Sequence, residues 1–345
     1  MTRCPPVLIL TRADIVRLMA PSDYLNAVDA GFKALAEGAA SSPPPLRVEA
    51  DGGAFHAKGA GYRSDRHYVA LKFNGNFPGN PQRTGLPTIQ GAILLCDGRD
   101  GSLLAILDSQ EITLRRTAAA SALAARLLAR ADSSVLAVCG CGAQGRAHVE
   151  ALAQVFTLRD VLLWDLEFER AAALAAELGG ARHAAHPVRH LRDATAAADI
   201  IATCTTARTP FLGPDHVRPG AFVAAVGADS PVKNEIEPAL LARATVIADV
   251  LAQCESMGDL RHAIAAGLMD AADVHAELAD LVAGRKPGRT SRDQIIVFDS
   301  TGTAIEDVAS AASAFERACE RGAGVKLNLA DGDTSASNAD RVSAR

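Results

Sequence analysis

The chain has 345 residues, a formal net charge of −5, 49% hydrophobic residues and 22% charged ones. That length suits two domains with a sizeable core. The mildly acidic balance, with no Lys/Arg-rich block and only 4% aromatics, excludes a nucleic-acid partner, a membrane-surface partner and a stacking platform for single strands.

In chain order, the N-terminal apolar run in MTRCPPVLILTRADIVRLM is too short for a signal-peptide core or a bilayer span, and no other stretch reaches about 18 uncharged apolar residues. The seven cysteines are odd in number and sit mostly in apolar surroundings, which reads as reduced thiols and a cytoplasmic location. Cys139 and Cys141 form the only close pair. Without further ligands at matching spacing they are expected to pack beside a glycine turn and to hold no metal.

TRADIVRLMAPSDYLNAVDAGFKALAEG carries helical spacing, with Asp14 and Ser22 as expected caps. SSPPPLRVEA breaks the pattern. HYVALKFN, TIQGAILLCD and GSLLAILDS then read as strands separated by Gly/Pro/Asn turns, a sheet built from hairpins. A strong helix former, TAAASALAARLLARA, starts at Thr117. After Ser134, apolar runs (VLAVCG, VLLWD, DIIATCTT, AFVAAVGA, ATVIADV, QIIVFDS) alternate with Ala-rich helical segments. This is the signature of a doubly wound parallel sheet. AIEDVASAASAFERACERG reads as an amphipathic helix, and the polar tail over 330–345 as disordered. The expected fold is α/β: a Rossmann-type doubly wound domain over 117–304, and a mixed α+β domain formed by 1–116 with 305–329.

The sharpest motif is VLAVCGCGAQGRAHVEAL, which is Gly140-x-Gly142-x-x-Gly145 placed between a strand and a helix. The first glycine permits the tight turn, the second lets backbone approach a pyrophosphate, and the third allows close helix–strand packing. Asp165 ends the next strand, about 20 residues on, where an acidic group binds ribose hydroxyls and repels a 2′-phosphate. NADH is therefore favoured, and Arg170 keeps NADPH open.

The chain has six lysines, so a lysine in an apolar strand stands out. Lys72, in HYVALKFNGN, is costly to bury unless paired or used. Lys58, in FHAKGAG, is a weaker case, for which a structural role is favoured. Arg116, with Arg115, precedes the Ala-rich helix, where a guanidinium can grip a carboxylate bidentately or stand as a surface charge. Arg47 follows the triple proline and is equally open. Asp229, in AAVGADSP, lies past the carboxyl end of an expected parallel strand, a position suited to acid/base work.

Read together, LKFNGNFPGN, GLPTIQGAILLCDGRDGSLLAILDS, EITLRRTAAASALAARLLAR, CGCGAQGRAHVEAL, VGADSP with nearby Glu235, and FDSTGTAIEDVASA resemble the ornithine cyclodeaminase/mu-crystallin family. The resemblance covers about residues 40–325. It implies a substrate-binding and dimerisation domain beside a Rossmann NAD(P) domain, and a homodimer joined through the sheets of the first. It implies that Arg116, Lys72 and Arg47 bind a substrate carboxylate, that Asp229 is catalytic together with Lys72, and that Thr117 and the Ser300–Gly302 segment approach the nicotinamide side. Ala143 and Gln144 complete the cofactor loop. The family divides between cyclodeaminases, imine reductases and alanine dehydrogenases, and thyroid-hormone-binding mu-crystallins. A cyclodeaminase would carry valine–asparagine–glycine–histidine–proline after the lysine. This chain has KFNGNFPGN, with Asn76 and Phe77 there. The expectation is NAD(P)H-dependent reduction of a small cyclic ketimine or 2-imino carboxylate. The alternatives are an amino-acid cyclodeaminase and a non-catalytic NADPH-dependent binding protein.

Overall fold

A computed structural model describes residues 6–180 and 183–329; the expected disordered tail at 330–345 lies outside them. Two eight-stranded sheets organise the chain. The first holds β1 (Val7–Leu10), β2 (Ala40–Ser41), β3 (Leu46–Ala50), β4 (Gly53–Arg63), β5 (His67–Asn76), β6 (Ile89–Asp97), β7 (Leu103–Asp108) and, from far along the chain, β16 (Val325–Leu327). β4 to β7 form an antiparallel meander, of which β5, β6 and β7 are the three expected strands and β4 was not expected. β1 pairs parallel to β7 and antiparallel to β16, so both ends of the described chain close one edge.

The second sheet holds β8 (Val135–Cys139), β9 (Asp160–Trp164), β10 (Ala184–Pro187), β11 (Ile200–Thr203), β12 (Phe222–Ala225), β13 (Thr245–Ala248), β14 (Ala276–Glu277) and β15 (Ile296–Asp299). It is parallel throughout, in the order β10-β9-β8-β11-β12-β15-β13-β14. The chain winds outward in both directions from β8, so the crevice at the carboxyl ends of β8 and β11 is the switch point where such sheets bind ligands. All six apolar runs are strands. β10 and β14 were not anticipated, because they are short and carry His186, Pro187 and Glu277 rather than an apolar run.

Helix boundaries depart from expectation at two places. The first helical stretch is two helices, Arg12–Leu18 and Pro21–Ala36. Thr11 caps the first and Asp14 closes its capping box from the third position. The second opens at Ala20 with Pro21 in its first turn, and Asp23 accepts from the Ala20 amide. Asp14 and Ser22 are therefore inside helices, not caps. The helix expected from Thr117 begins at Ser109, because Asp108 caps it by accepting from the Glu111 amide at 2.9 Å. Arg115 and Arg116 consequently sit within the helix Ser109–Leu128.

That helix, the helix Pro21–Ala36 and the C-terminal helix Ala304–Arg321 pack together on the inner face of the first sheet. The helix Ser109–Leu128 also packs on the helix Ala143–Leu152 of the second sheet. Its alanines, buried from Ala118 to Ala125, permit close approach on both sides. No described helix is long and apolar enough to cross a membrane.

Candidate active site

The glycine turn joins β8 to the helix Ala143–Leu152. Gly140 has φ +101°, and a Cβ there would lie 2.7 Å from the Cys204 carbonyl oxygen. A Cβ on Gly145 would meet the Gly140 carbonyl oxygen at 2.1 Å, so only glycine lets the helix rest on the turn. Gly142 faces open space, and as the helix N-cap it has no side-chain cap bond. The first-turn amides therefore offer donors and a partial positive charge. Cys139 is buried in β8, and the Cys141 thiol contacts the Trp164 carbonyl at 3.5 Å, which is packing beside the turn.

Asp165 follows β9 and accepts from the amides of Cys141 (2.8 Å) and Glu167 (3.0 Å). Its carboxylate is thus fixed against the turn, while Glu167 holds Arg170 at 2.9 Å. Two buried polar atoms in this region, Gln144 Oε1 and Ser300 Oγ, have no hydrogen-bond partner among the described residues. The open Gly142 face, the uncapped helix, the fixed carboxylate and these orphaned atoms fit a dinucleotide.

The second half of the site is a buried charge cluster. Lys58 and Lys72 lie directly opposite each other on β4 and β5, on the same face. Lys72 Nζ pairs with Asp307 Oδ2 at 2.6 Å and reaches Thr113 Oγ1 at 3.3 Å. Arg116 Nε donates to Asp307 Oδ1 at 2.8 Å and its Nη1 to Glu306 Oε2 at 2.7 Å. Asp307 therefore bridges the two cations, and Glu306 also accepts from Thr303 in the capping box of the C-terminal helix. Lys72 and Arg116 are only 5% and 3% exposed. Burial pushes the Lys72 ammonium down to about 7 against the pull of Asp307. Burial opposes the Asp307 charge as well, but Arg116 and Lys72 hold its carboxyl below the ordinary value.

A turn at Ser300–Thr303, after β15, joins the two halves. Asp249, after β13, accepts from the amides of Thr301 (2.7 Å) and Gly302 (2.8 Å) and from Thr301 Oγ1. Burial, reinforced by Glu306, raises Asp249 to about 6. Gly302 has φ +74°, and a Cβ on it would come within 2.7 Å of Arg116 Nη1. Its carbonyl accepts from Lys58 Nζ at 2.7 Å and from Gln253 Nε2 at 3.0 Å.

The structure thus brings Lys72, Arg116 and Gly302 together. Thr117 is buried one residue beyond Arg116, its hydroxyl donating to the Thr113 carbonyl. Two expected residues make no bond to the buried cluster, although the charge of Asp229 acts on Lys58. Arg47, on β3, pairs with Glu49 at 2.6 Å and lies 3.3 Å from His56. Asp229 does lie past the end of β12, but it is exposed and pairs with Lys233 at 2.5 Å. Its loop is pinned from behind by buried Glu235, which accepts from Thr203, Thr205 and the Gly227 amide. Lys58, for which a structural role was expected, bonds the Thr301 and Gly302 carbonyls, and sequence reasoning did not single out Asp249, Glu306 and Asp307. The two acids in AIEDVASA sit where first-turn acids ordinarily complement a helix dipole, which hides their burial.

The ornithine cyclodeaminase/mu-crystallin family model matches residues 7–322. Three solved structures superpose over most of the chain. An archaeal alanine dehydrogenase dimer with bound NAD is 34% identical, with TM-score 0.88, over 94% of this chain and 99% of that one. The Δ1-pyrroline-2-carboxylate reductase of Thermococcus litoralis, in complex with NADH and L-proline, is 30% identical, with TM-score 0.87, over 93% and 100%. The iminosuccinate reductase of Paracoccus denitrificans, in complex with NAD+, is 33% identical, with TM-score 0.86, over 94% and 100%.

Proposed function

The chain belongs to the ornithine cyclodeaminase/mu-crystallin family, and from that premise we propose that it is an NAD(P)H-dependent reductase of a small cyclic ketimine or 2-imino carboxylate such as Δ1-pyrroline-2-carboxylate. The observation that carries this reading is the buried Lys72–Asp307–Arg116 bridge abutting the Ser300–Gly302 turn, in one fold with an open glycine turn. Similarity to two imine reductases of nearly equal length supports it.

NAD(P)H, when bound, supplies the hydride that reduces the C=N carbon. The turn amides from Gly142 to Gln144 would receive its phosphates, and Asp165 its ribose. We favour NADH, because Asp165 is fixed beside the turn and Glu167 holds Arg170. Arg116 keeps its Nη2 donors unused among the described hydrogen bonds and would orient the substrate carboxylate through them. Such orientation lowers a barrier by several kcal/mol, on the order of 7–11 in favourable cases. Lys72 would carry the proton that the nitrogen gains as the C=N bond becomes CH–NH. Asp229 is a further acid/base candidate, and Arg47 a carboxylate ligand at the rim.

We extend the proposal to a homodimer. Val69, Leu71, Phe73 and Leu94 form one apolar face of the first sheet, each 37–46% exposed, and Leu71 lies directly opposite Leu94. A contiguous apolar face of this kind marks an interface. The two domains would be 1–116 with 305–329, and 117–304, one around each sheet.

The test is an assay of the purified protein with NADH and with NADPH against a panel of small cyclic and acyclic imino carboxylates. Oxidation of NADH that exceeds that of NADPH is expected with at least one of them. No oxidation of either cofactor across the panel overturns the reading.

A further inference from the structure

Three cations face one another at the inner end of the site, and their charges are not equally satisfied. Lys72 and Arg116 together face Asp307 and Glu306, so two positive charges meet two negative ones at hydrogen-bonding distance. Lys58 is different. Its ammonium touches only backbone, the carbonyl oxygens of Gly302 at 2.7 Å and Thr301 at 3.4 Å, and it forms no ion pair among the described residues. The other nearby carboxylates are committed elsewhere. Asp229 is paired with Lys233, and Asp249 accepts from the Thr301 and Gly302 amides, although both charges still act on Lys58.

Position and access point the same way. Lys58 stands directly opposite Lys72 across an antiparallel pair, an arrangement of like charges that weakens a sheet. Lys72 and Arg116 are buried, whereas Lys58 as a residue is partly exposed, although burial still lowers the proton affinity of its ammonium. Among Lys58, Lys72, Arg116, Glu306 and Asp307, Lys58 is the one cation with no carboxylate at ion-pair distance among the described residues.

We propose that Lys58 is the charge partner of the substrate carboxylate, and that its single ammonium, which no described carboxylate pairs directly, selects a monoanionic substrate. Arg116, already paired with Asp307 and Glu306, then aligns the carboxylate, and Lys72 remains the proton carrier at the reacting nitrogen. This inference rests on the imine-reductase reading and narrows it to monocarboxylates. The competing view is that Lys58 is a strap fastening β4 to the Gly302 turn.

The experiment compares a charged and an uncharged probe of the same shape, pyrrole-2-carboxylate and pyrrole-2-carboxamide, by calorimetric titration of the NADH-loaded enzyme. The variants are Lys58→Gln, which keeps a donor for the Gly302 carbonyl but loses the charge, and Lys58→Arg, which restores it. The wild type should prefer the carboxylate. In Lys58→Gln that preference should fall roughly 10- to 100-fold, the span of a charge-assisted hydrogen bond, while carboxamide affinity holds. Lys58→Arg should recover most of the preference. For Δ1-pyrroline-2-carboxylate the same loss should appear mainly in KM rather than kcat. An unchanged preference in Lys58→Gln, or parallel weakening of both probes, overturns the proposal, the second result being that of a strap. A wild type that binds the carboxylate through Lys58 but reduces no imine leaves this site standing and removes the reductase reading. A wild type that binds no carboxylate removes the Lys58 proposal.

Discussion

Lys72 concentrates the consequences of burial in one side chain. Burial in the sheet beneath the helices Ser109–Leu128 and Ala304–Arg321 desolvates its ammonium, and only Asp307 and Thr113 repay part of that loss. With its proton affinity brought down to about 7, the residue can give up a proton at neutral pH, which an exposed lysine cannot. The sign follows directly. The protonated form is the donor, so activity is present below that value and is lost as pH rises through it. We expect kcat/KM for imine reduction to fall about tenfold per pH unit above the midpoint. In Lys72→Arg, which cannot release a proton in this range, that limb should vanish along with most of the rate. A wild-type profile that stays flat to high pH contradicts the assignment. The importance of Lys72 was legible in HYVALKFN because a lone lysine in an apolar strand is conspicuous. Its partner Asp307 was not, because the contact joins β5 to a helix more than two hundred residues away in sequence.

At the scale of elements, the Ser300–Thr303 turn couples the two halves of the site. Asp249 holds it from the second sheet, and Lys58 and Arg116 meet it from β4 and the helix Ser109–Leu128. Its glycine is required twice over, by a left-handed φ and by the guanidinium lying where a Cβ would be. Gly302→Ala should therefore destabilise the protein by more than about 1 kcal/mol in chemical denaturation. It should also raise KM for the imine more than Kd for NADH. A variant with wild-type stability and KM would show that the turn does not set the Arg116 position. The turn's presence could be read from the family resemblance. The reason for its glycine could not, since it depends on a distant arginine. The glycine turn after β8 contrasts with this: all its contacts are local, and the pattern of three glycines was sufficient.

At the scale of the whole molecule, the sequence conveyed the two sheets through their different rhythms, hairpin runs before Thr117 and βα alternation after Ser134. It did not convey the closure of the first sheet by β1 and β16, because pairing between the two ends of a chain leaves no local pattern. Nor did it convey the apolar outer face of β5 and β6. Alternation of one buried and one exposed apolar residue reads simply as a buried strand, as in TIQGAILLCD. If that face joins two copies, Leu71→Asp should convert a dimer to a monomer of unchanged secondary structure in sedimentation. A wild type that sediments as a monomer at micromolar concentration contradicts the assembly.

The central claim is that the hydride stays on the product. The most direct test is a stoichiometry measured on the purified wild type with NADH, Δ1-pyrroline-2-carboxylate and, in a parallel vessel, ornithine. Equal amounts of NADH consumed and proline formed are expected in the first vessel, and no ammonia in the second. Ammonia and proline released from ornithine with no net change in NADH would contradict it and identify a cyclodeaminase.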